Sequence, residues 1–213
     1  MSKPTLEKIR PEFGSSLLVR QHTTNAEMKR AYWHFHPELE LVYVNKGQGK
    51  RHIGNHLSYF NNSQLIFIGE NLPHNGFVDR LTEKGKETIV QFRNDFLGPE
   101  FFDMPEMKEI KKLFKKAKKG IVYKPETKKI LGPKIENLVN IKGVERVSEL
   151  LKILQHLATT DDYQLLNVDG FAFESAQQDS ARIDKIFNYV NDHFTEQIPL
   201  QSIADEVSMT VPA

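Results

Sequence analysis

Cysteine is absent from all 213 residues. That excludes a disulfide scaffold, a thiolate metal site and a cysteine nucleophile. Long apolar runs are absent as well. The longest, such as Leu65 to Ile68, fall far short of the roughly 20 residues a membrane span needs. The N-terminus, MSKPTLEKIRPEF, lacks the apolar core of a secretory signal. These absences fit a cytoplasmic chain with no membrane partner. Net charge is nearly absent at +1, but it is unevenly spread. Residues 108–134 carry 11 lysines and two acids, a local +9, so the remainder sums to −8. The lysines fall between apolar positions at helical spacing, which reads as a solvated helix face rather than a nucleic-acid or membrane patch. No internal repeat is present.

What is present is ordinary for a globular chain: 39% hydrophobic and 27% charged residues. A chain of this size buries roughly 70% of the surface of its unfolded form, so it needs no metal merely to fold. The first ~100 residues read as β-structure. Leu39 to Val44, Lys50 to Ile53, Leu65 to Ile68 and Thr88 to Phe92 are strand runs. Turns are expected at Lys46-Gly47-Gln48-Gly49 and Gly54-Asn55. Short strands at such spacing suggest a sandwich or barrel.

Beyond Gly98 the period changes to helical. Pro105 to Lys119, Thr127 to Ile141 and Val144 to Ala158 are the expected helices, the first stopped by Gly120. In the third, Val147, Leu150, Leu154 and Leu157 step by three, four and three, as in a coiled-coil seam. That row suits a neighbouring helix, either in this chain or in a second copy. Residues 161–181 read as a linker. A further helix is expected from Arg182 to Phe194, with an apolar stripe at Ile183, Ile186, Phe187, Val190 and Phe194.

The main chemical signal is His34-Phe35-His36-Pro37-Glu38-Leu39-Glu40, with Gly47 further on. His34, His36 and Glu40 share a parity, so an unbroken strand would point two imidazoles and a carboxylate to one side. His74, after Pro73, is a fourth candidate. Such a donor set suits zinc, nickel, iron or manganese. The same residues can instead line or hydrogen-bond an organic ligand pocket. Tyr32 and Trp33 flank the histidines, and Arg51 can pair with an anionic or polyhydroxyl ligand. Tyr43 has the opposite parity to Glu40.

The spacing His-x-His, three residues, Glu, six residues, Gly resembles the first cupin motif. The motif's leading glycine position holds Met28 here, and the second motif is represented by Pro73-His74. At the C-terminus, Leu200, Ile203, Ala204 and Val207 have helical spacing, and Thr210 can cap a following helix. Ile198 to Thr210 resembles the start of the AraC-type DNA-binding domain. His36 to Leu41, Asn71 to His74 and Gln91 to Gly98 are similar to segments of AraC-family sensor domains.

The resemblance implies a mainly β architecture with α-helices. Residues 1–104 would be a cupin-like β-barrel, a double-stranded β-helix, that binds an effector. Residues 105–160 would be a helical dimerisation segment using Val147, Leu150, Leu154 and Leu157. Residues 161–181 would be a linker, and 182–213 an incomplete helix-turn-helix domain scaffolded by Leu200, Ile203, Ala204, Val207 and Thr210. It implies a homodimeric, non-enzymatic transcription regulator that senses a small molecule, a sugar being the expected class. The first recognition helix would begin after Thr210, so specific DNA reading is expected only in a full-length parent. The competing expectation is a metal-dependent cupin enzyme, an oxygenase or isomerase, using His34, His36, Glu40 and His74.

Overall fold

The computed structural model describes residues 4–11, 14–23, 32–76, 78–167 and 196–211, with 185–186, 189–190 and 193. The chain divides into two compact units, Met1–Phe171 and Ala172–Ala213.

The first unit is built on strands β1 (Thr5–Leu6), β2 (Leu17–His22), β3 (His34–Phe35), β4 (Leu39–Ile53), β5 (His56–Ile68), β6 (Val78–Phe92), β7 (Ile121–Tyr123) and β8 (Tyr163–Leu165). Six of them form a sheet in the order β2-β6-β4-β5-β7-β8, antiparallel at every pairing. β1 and β3 form a separate parallel pair. Helices α1 (Lys108–Ala117), α2 (Pro125–Asn137) and α3 (Gly143–Thr159) accompany the sheet.

Alternation along the strands separates two cores. Leu39, Leu41, Tyr43, Leu65, Phe67, Val90 and Phe92 face the helices, where they meet Ile110, Leu113, Phe114, Leu131, Ile135, Leu150, Ile153 and Leu154. Val42, Val44, Ile66 and Ile68 face the other way and cluster with Ile53, Phe60, Leu72 and Leu81. The second cluster joins both arms of the long β4–β5 hairpin, so the hairpin folds over on itself around a second buried interior core.

The bend has a local cause. The expected turn at Lys46–Gly49 is not a turn: β4 runs unbroken through it, and the β4–β5 register shifts between Asn45 and Gly47. Lys46 (φ 57°) and Asn62 (φ 75°) occupy the left-handed region on facing strands, and Lys84 (φ 59°) does so on β6. Such bulges bend and twist a sheet without ending its ladder. The expected closed barrel is also modified. Among the described residues the six-stranded sheet stays open, and single bridges, His34↔His74 and Ile53↔His74, link the β1–β3 pair to it.

The expected linker begins as structure. Tyr163–Leu165 pairs with β7. The Asn167 side chain donates to the carbonyls of Ile53 and Lys119 and accepts from the Asn55 amide. Residues 168–181 lie outside the described residues.

Most of the row with seam spacing is buried within the chain, the first of the two arrangements its spacing suits. Leu150 and Leu154 are fully buried and Leu157 nearly so, all in the helix-side core, while Val147 is half-buried. The apolar step that resembles a coiled-coil seam here serves the sheet and the adjacent helices.

In the second unit, the described residues within Arg182–Phe194 are helical. Helix α4 (Leu200–Glu206) follows Pro199, which takes the N-cap position. Ala204 and Val207 are buried and Ile203 half-buried, but Leu200 is exposed, a departure from its expected scaffold role. The helix ends in a tight turn: Ser208 has φ 53° and Met209 N–H donates to the Ala204 carbonyl at 2.8 Å. That six-residue closure is a Schellman-type stop. Thr210 is exposed, and the helix it was expected to cap lies outside the described residues.

Leu154→Glu is therefore expected to unfold the first unit rather than yield a folded monomer, at a cost of about 4 kcal/mol or more. Circular dichroism and light scattering on that variant decide the matter. A folded monomer with native melting would place Leu154 at an intermolecular interface.

Candidate metal centre

The sequence pattern anticipated His34, His36 and Glu40 on one strand. The structure divides them: His34 ends up in β3, Pro37 breaks the extension, and Glu40 is the second residue of β4. Convergence comes instead from tertiary pairing. His34 N–H donates to the His74 carbonyl at 3.0 Å and His74 N–H to the His34 carbonyl at 2.8 Å. Asn71, in the left-handed region at φ 56°, turns the chain after β5 and donates its N–H to the His36 carbonyl. Gly69 sets the start of that turn. Its N–H bonds the Ala117 carbonyl, and a Cβ there would lie 2.5 Å from the Lys118 nitrogen, so only glycine permits the approach to α1.

The result is a buried cluster. His34, His36 and His74 are 6%, 1% and 1% exposed, and Glu40 is 5%. One ring nitrogen from each histidine lies within 4.8 Å of the others. Metal–nitrogen bonds of roughly 2.0–2.1 Å put two ligand nitrogens at most about 4.2 Å apart, so slight side-chain closure would let all three reach one ion.

The tautomers are set by the backbone. Nδ1 of His34 meets the Tyr32 carbonyl at 2.9 Å, Nδ1 of His36 the Glu38 carbonyl at 3.1 Å, and Nδ1 of His74 the Leu72 carbonyl at 2.8 Å. A carbonyl can only accept, so each Nδ1 carries a proton, and in its neutral form each ring presents an Nε2 lone pair. Metal-binding histidines are oriented by such outer hydrogen bonds.

Carboxylates flank the three Nε2 atoms. His36 Nε2 lies 3.0 Å from Glu40 Oε2, and His74 Nε2 lies 3.7 Å from Glu40 Oε1. His34 Nε2 lies 3.2 Å from Glu7 Oε2. A lone pair facing a carboxylate oxygen is repulsive unless a proton or a cation sits between them. Gln91, directly opposite Glu40 on β6, donates its Nε2 to Glu40 Oε2 at 2.6 Å and orients it. Burial would raise the Glu40 carboxyl, but the His36 hydrogen bond and the neighbouring histidines outweigh it and hold the group down at about 2. Burial lowers the His36 ring, but hydrogen bonding and attraction to Glu40 outweigh it and raise the value. Burial pushes His74 down to about 3. A carboxylate kept charged beside a ring kept neutral is a donor set fit for a divalent cation.

Glu7 carried no motif, and Gln91 stood out only as the first residue of the segment Gln91 to Gly98, with no role at the histidines attached to it. Gln91 has a parity signal once β4 and β6 are known to pair; Glu7 has none, because β1 reaches the site through the β1–β3 pairing. Of the other anticipated ligand residues, Tyr32 lies beside the cluster and the rest are placed apart. Tyr32, 40% exposed, has its ring 4.7 Å from His34. Trp33 stacks on His52 at 4.2 Å, and Arg51 Nη2 donates to the Tyr59 carbonyl. Tyr43 faces the helices, against Gly132, where a Cβ would lie 2.3 Å from its ring.

The fold and the cluster together define a helix-backed β-domain with an enclosed three-histidine centre. Among solved structures the chain is similar to an apo ToxT variant from Vibrio cholerae, at 12% identity and a TM-score of 0.49 over 94% of this chain and 73% of that one. It is also similar to the AraC-like transcriptional activator CuxR, at 11% identity and a TM-score of 0.49 over 92% of this chain and 68% of that one. No protein-family model and no curated protein matches the chain. No helix among the described residues is long and apolar enough to cross a membrane.

The buried histidines give a pH dependence of fixed sign in chelated protein. His74, held near 3 when folded and titrating near 6.5 when unfolded, removes stability as pH falls below about 6.5. His36, raised when folded, does the reverse: its contribution is full below about 6.5 and is lost as pH rises through the folded value. His74→Gln should therefore gain about 2 kcal/mol relative to the parent between pH 7 and pH 5, read by urea unfolding. A difference that does not vary with pH would remove His74 from the neutral buried set.

Proposed function

We propose that this chain is the effector-sensing part of an AraC-type DNA-binding transcription regulator, with a divalent transition metal in its β-domain. The observation that carries the metal is the buried trio of Nδ1-protonated histidines facing Glu40. His34, His36, His74 and Glu40 would hold zinc, nickel, iron or manganese. The bound ion would supply a Lewis-acidic centre for a ligand oxygen or nitrogen, or lock the β1–β3 pair onto the folded hairpin.

The regulator reading is supported by the second unit. Residues 198–210 resemble the opening of an AraC-type DNA-binding domain, and they form a short helix stopped by a left-handed turn at Ser208. A recognition helix would follow Thr210, in keeping with a cytoplasmic protein that contacts DNA through the full-length form. An effector acts in such a protein by binding one arrangement of the units more tightly than another. The competing enzymatic reading uses the same ligands, and it provides no role for a helix-and-turn unit.

Two measurements test the proposal. Thermal melting with Zn²⁺, Ni²⁺, Fe²⁺ or Mn²⁺ at a hundredfold excess over Kd should stabilise the protein by about 2.7 kcal/mol. His36→Ala should lose that gain together with bound metal by elemental analysis. Unchanged metal content in the variant would move the site elsewhere. For the regulator reading, DNA selection with a chain continuing through the following helix should enrich one sequence whose half-sites lie about 10–10.5 base pairs apart or a multiple of that. Failure to enrich any sequence overturns it.

A further inference from the structure

Gln64 is a buried polar group that the interior leaves unprovided for. It lies on β5 opposite Val44, and its parity with Ile66 and Ile68 points it away from the helices and into the enclosed cluster of Val42, Val44, Phe60, Ile66 and Leu81. The residue is 2% exposed, and among the described residues neither its Oε1 nor its Nε2 has a hydrogen-bond partner. Burying a primary amide with both ends unmet is disfavoured, and native proteins rarely retain one without cause. Two other polar groups of this face are provided for. Glu40 accepts from Gln91, and Glu87 lies 3.2 Å from His22 Nδ1.

The strand register orders this face into rows. One row runs His22, Glu87, Val44, Gln64; the next Ile89, Val42, Ile66; the third Gln91, Glu40, Ile68. The Gln64 row and the Glu40 row are four residues apart, about 13 Å along the strands, with an apolar belt between them. Gln64 is thus a hydrogen-bonding point separate from the histidine cluster.

We propose that the Gln64 amide is the anchoring contact for a small neutral ligand: one head group that both donates and accepts, as in an alcohol or carboxamide, on an apolar body. The chemistry follows from the surroundings. An amide presents a donor and an acceptor side by side, which such a head group satisfies. An anion is disfavoured, because Glu87 and Glu40 share the interior and the His22 ring in this row is engaged by Glu87. A polyhydroxyl ligand is disfavoured, because Val42, Val44, Phe60, Ile66 and Leu81 offer its further hydroxyls no side-chain partner. The ligand class deepens the sensor reading and rests on it.

The test compares hexanamide, hexanoate and glucose as probes on the metal-loaded protein, by saturation-transfer NMR and thermal shift at neutral pH. Hexanamide should bind at least tenfold more tightly than hexanoate or glucose, and Gln64→Leu should weaken it about tenfold while the fold, by circular dichroism, is kept. Equal binding to Gln64→Leu, preference for hexanoate or glucose, or no hexanamide binding (the result if water alone satisfies the amide) overturns the proposal. Metal titration of the same samples separates the two readings. Metal retained without hexanamide binding overturns only the ligand class, whereas loss of both counts against the sensor reading itself.

Discussion

The reciprocal pair of backbone hydrogen bonds between His34 and His74 is the constraint on which the site depends. It joins a two-residue strand to the loop after β5, and through His74 and Ile53 it also ties that loop to the end of β4. Three segments far apart in sequence are thereby held at strand spacing, and two of them bring His34 and His74 close enough to share one point. Without this junction the imidazoles would belong to separate surface loops, where water would satisfy each of them.

Burial raises the stakes of that arrangement. Three rings and a carboxylate removed from water cost free energy unless each polar atom is answered. The backbone answers every Nδ1, and Gln91 answers one oxygen of Glu40. What is left converges on the space between Nε2 atoms and carboxylate oxygens, where only a proton or a cation is compatible with the charges. Elsewhere in the interior, the Gln64 amide has both polar atoms unanswered among the described residues. The β-domain thus combines a polar centre at one end of an apolar belt with a lone amide at the other.

Much of this was legible beforehand, for identifiable reasons. The alternation of Leu39, Leu41 and Tyr43 against Glu40, Val42 and Val44 sorts residues onto two faces whatever their partners, and the structure keeps that sorting. The three helices after Gly98 follow from period and from Gly120, which takes φ 66° as a helix stop. What was misread or left open shares a cause. Lys46 to Gly49 has turn composition, but the same residues suit a bulge within a longer ladder. Leu150, Leu154 and Leu157 have seam spacing that suits either this chain or a second copy, and the structure buries the row within the chain. Tyr163 to Leu165 is too short to show a period and became a strand only because β7 offered an open edge.

By itself the sequence determined the classes of local structure, the absence of thiol chemistry, and the identity of the histidines and the carboxylate that matter, because these rest on residue type and on spacing along one chain. Only the tertiary structure decided that His34, His36 and Glu40 meet across a strand break, that Glu7 and Gln91 join them, and that Gln64 stands unanswered. The physical reason is that convergence and satisfaction are properties of distances between strands. Register, bulges and backbone pairing set those distances, and none of the three is written in the period of a single segment.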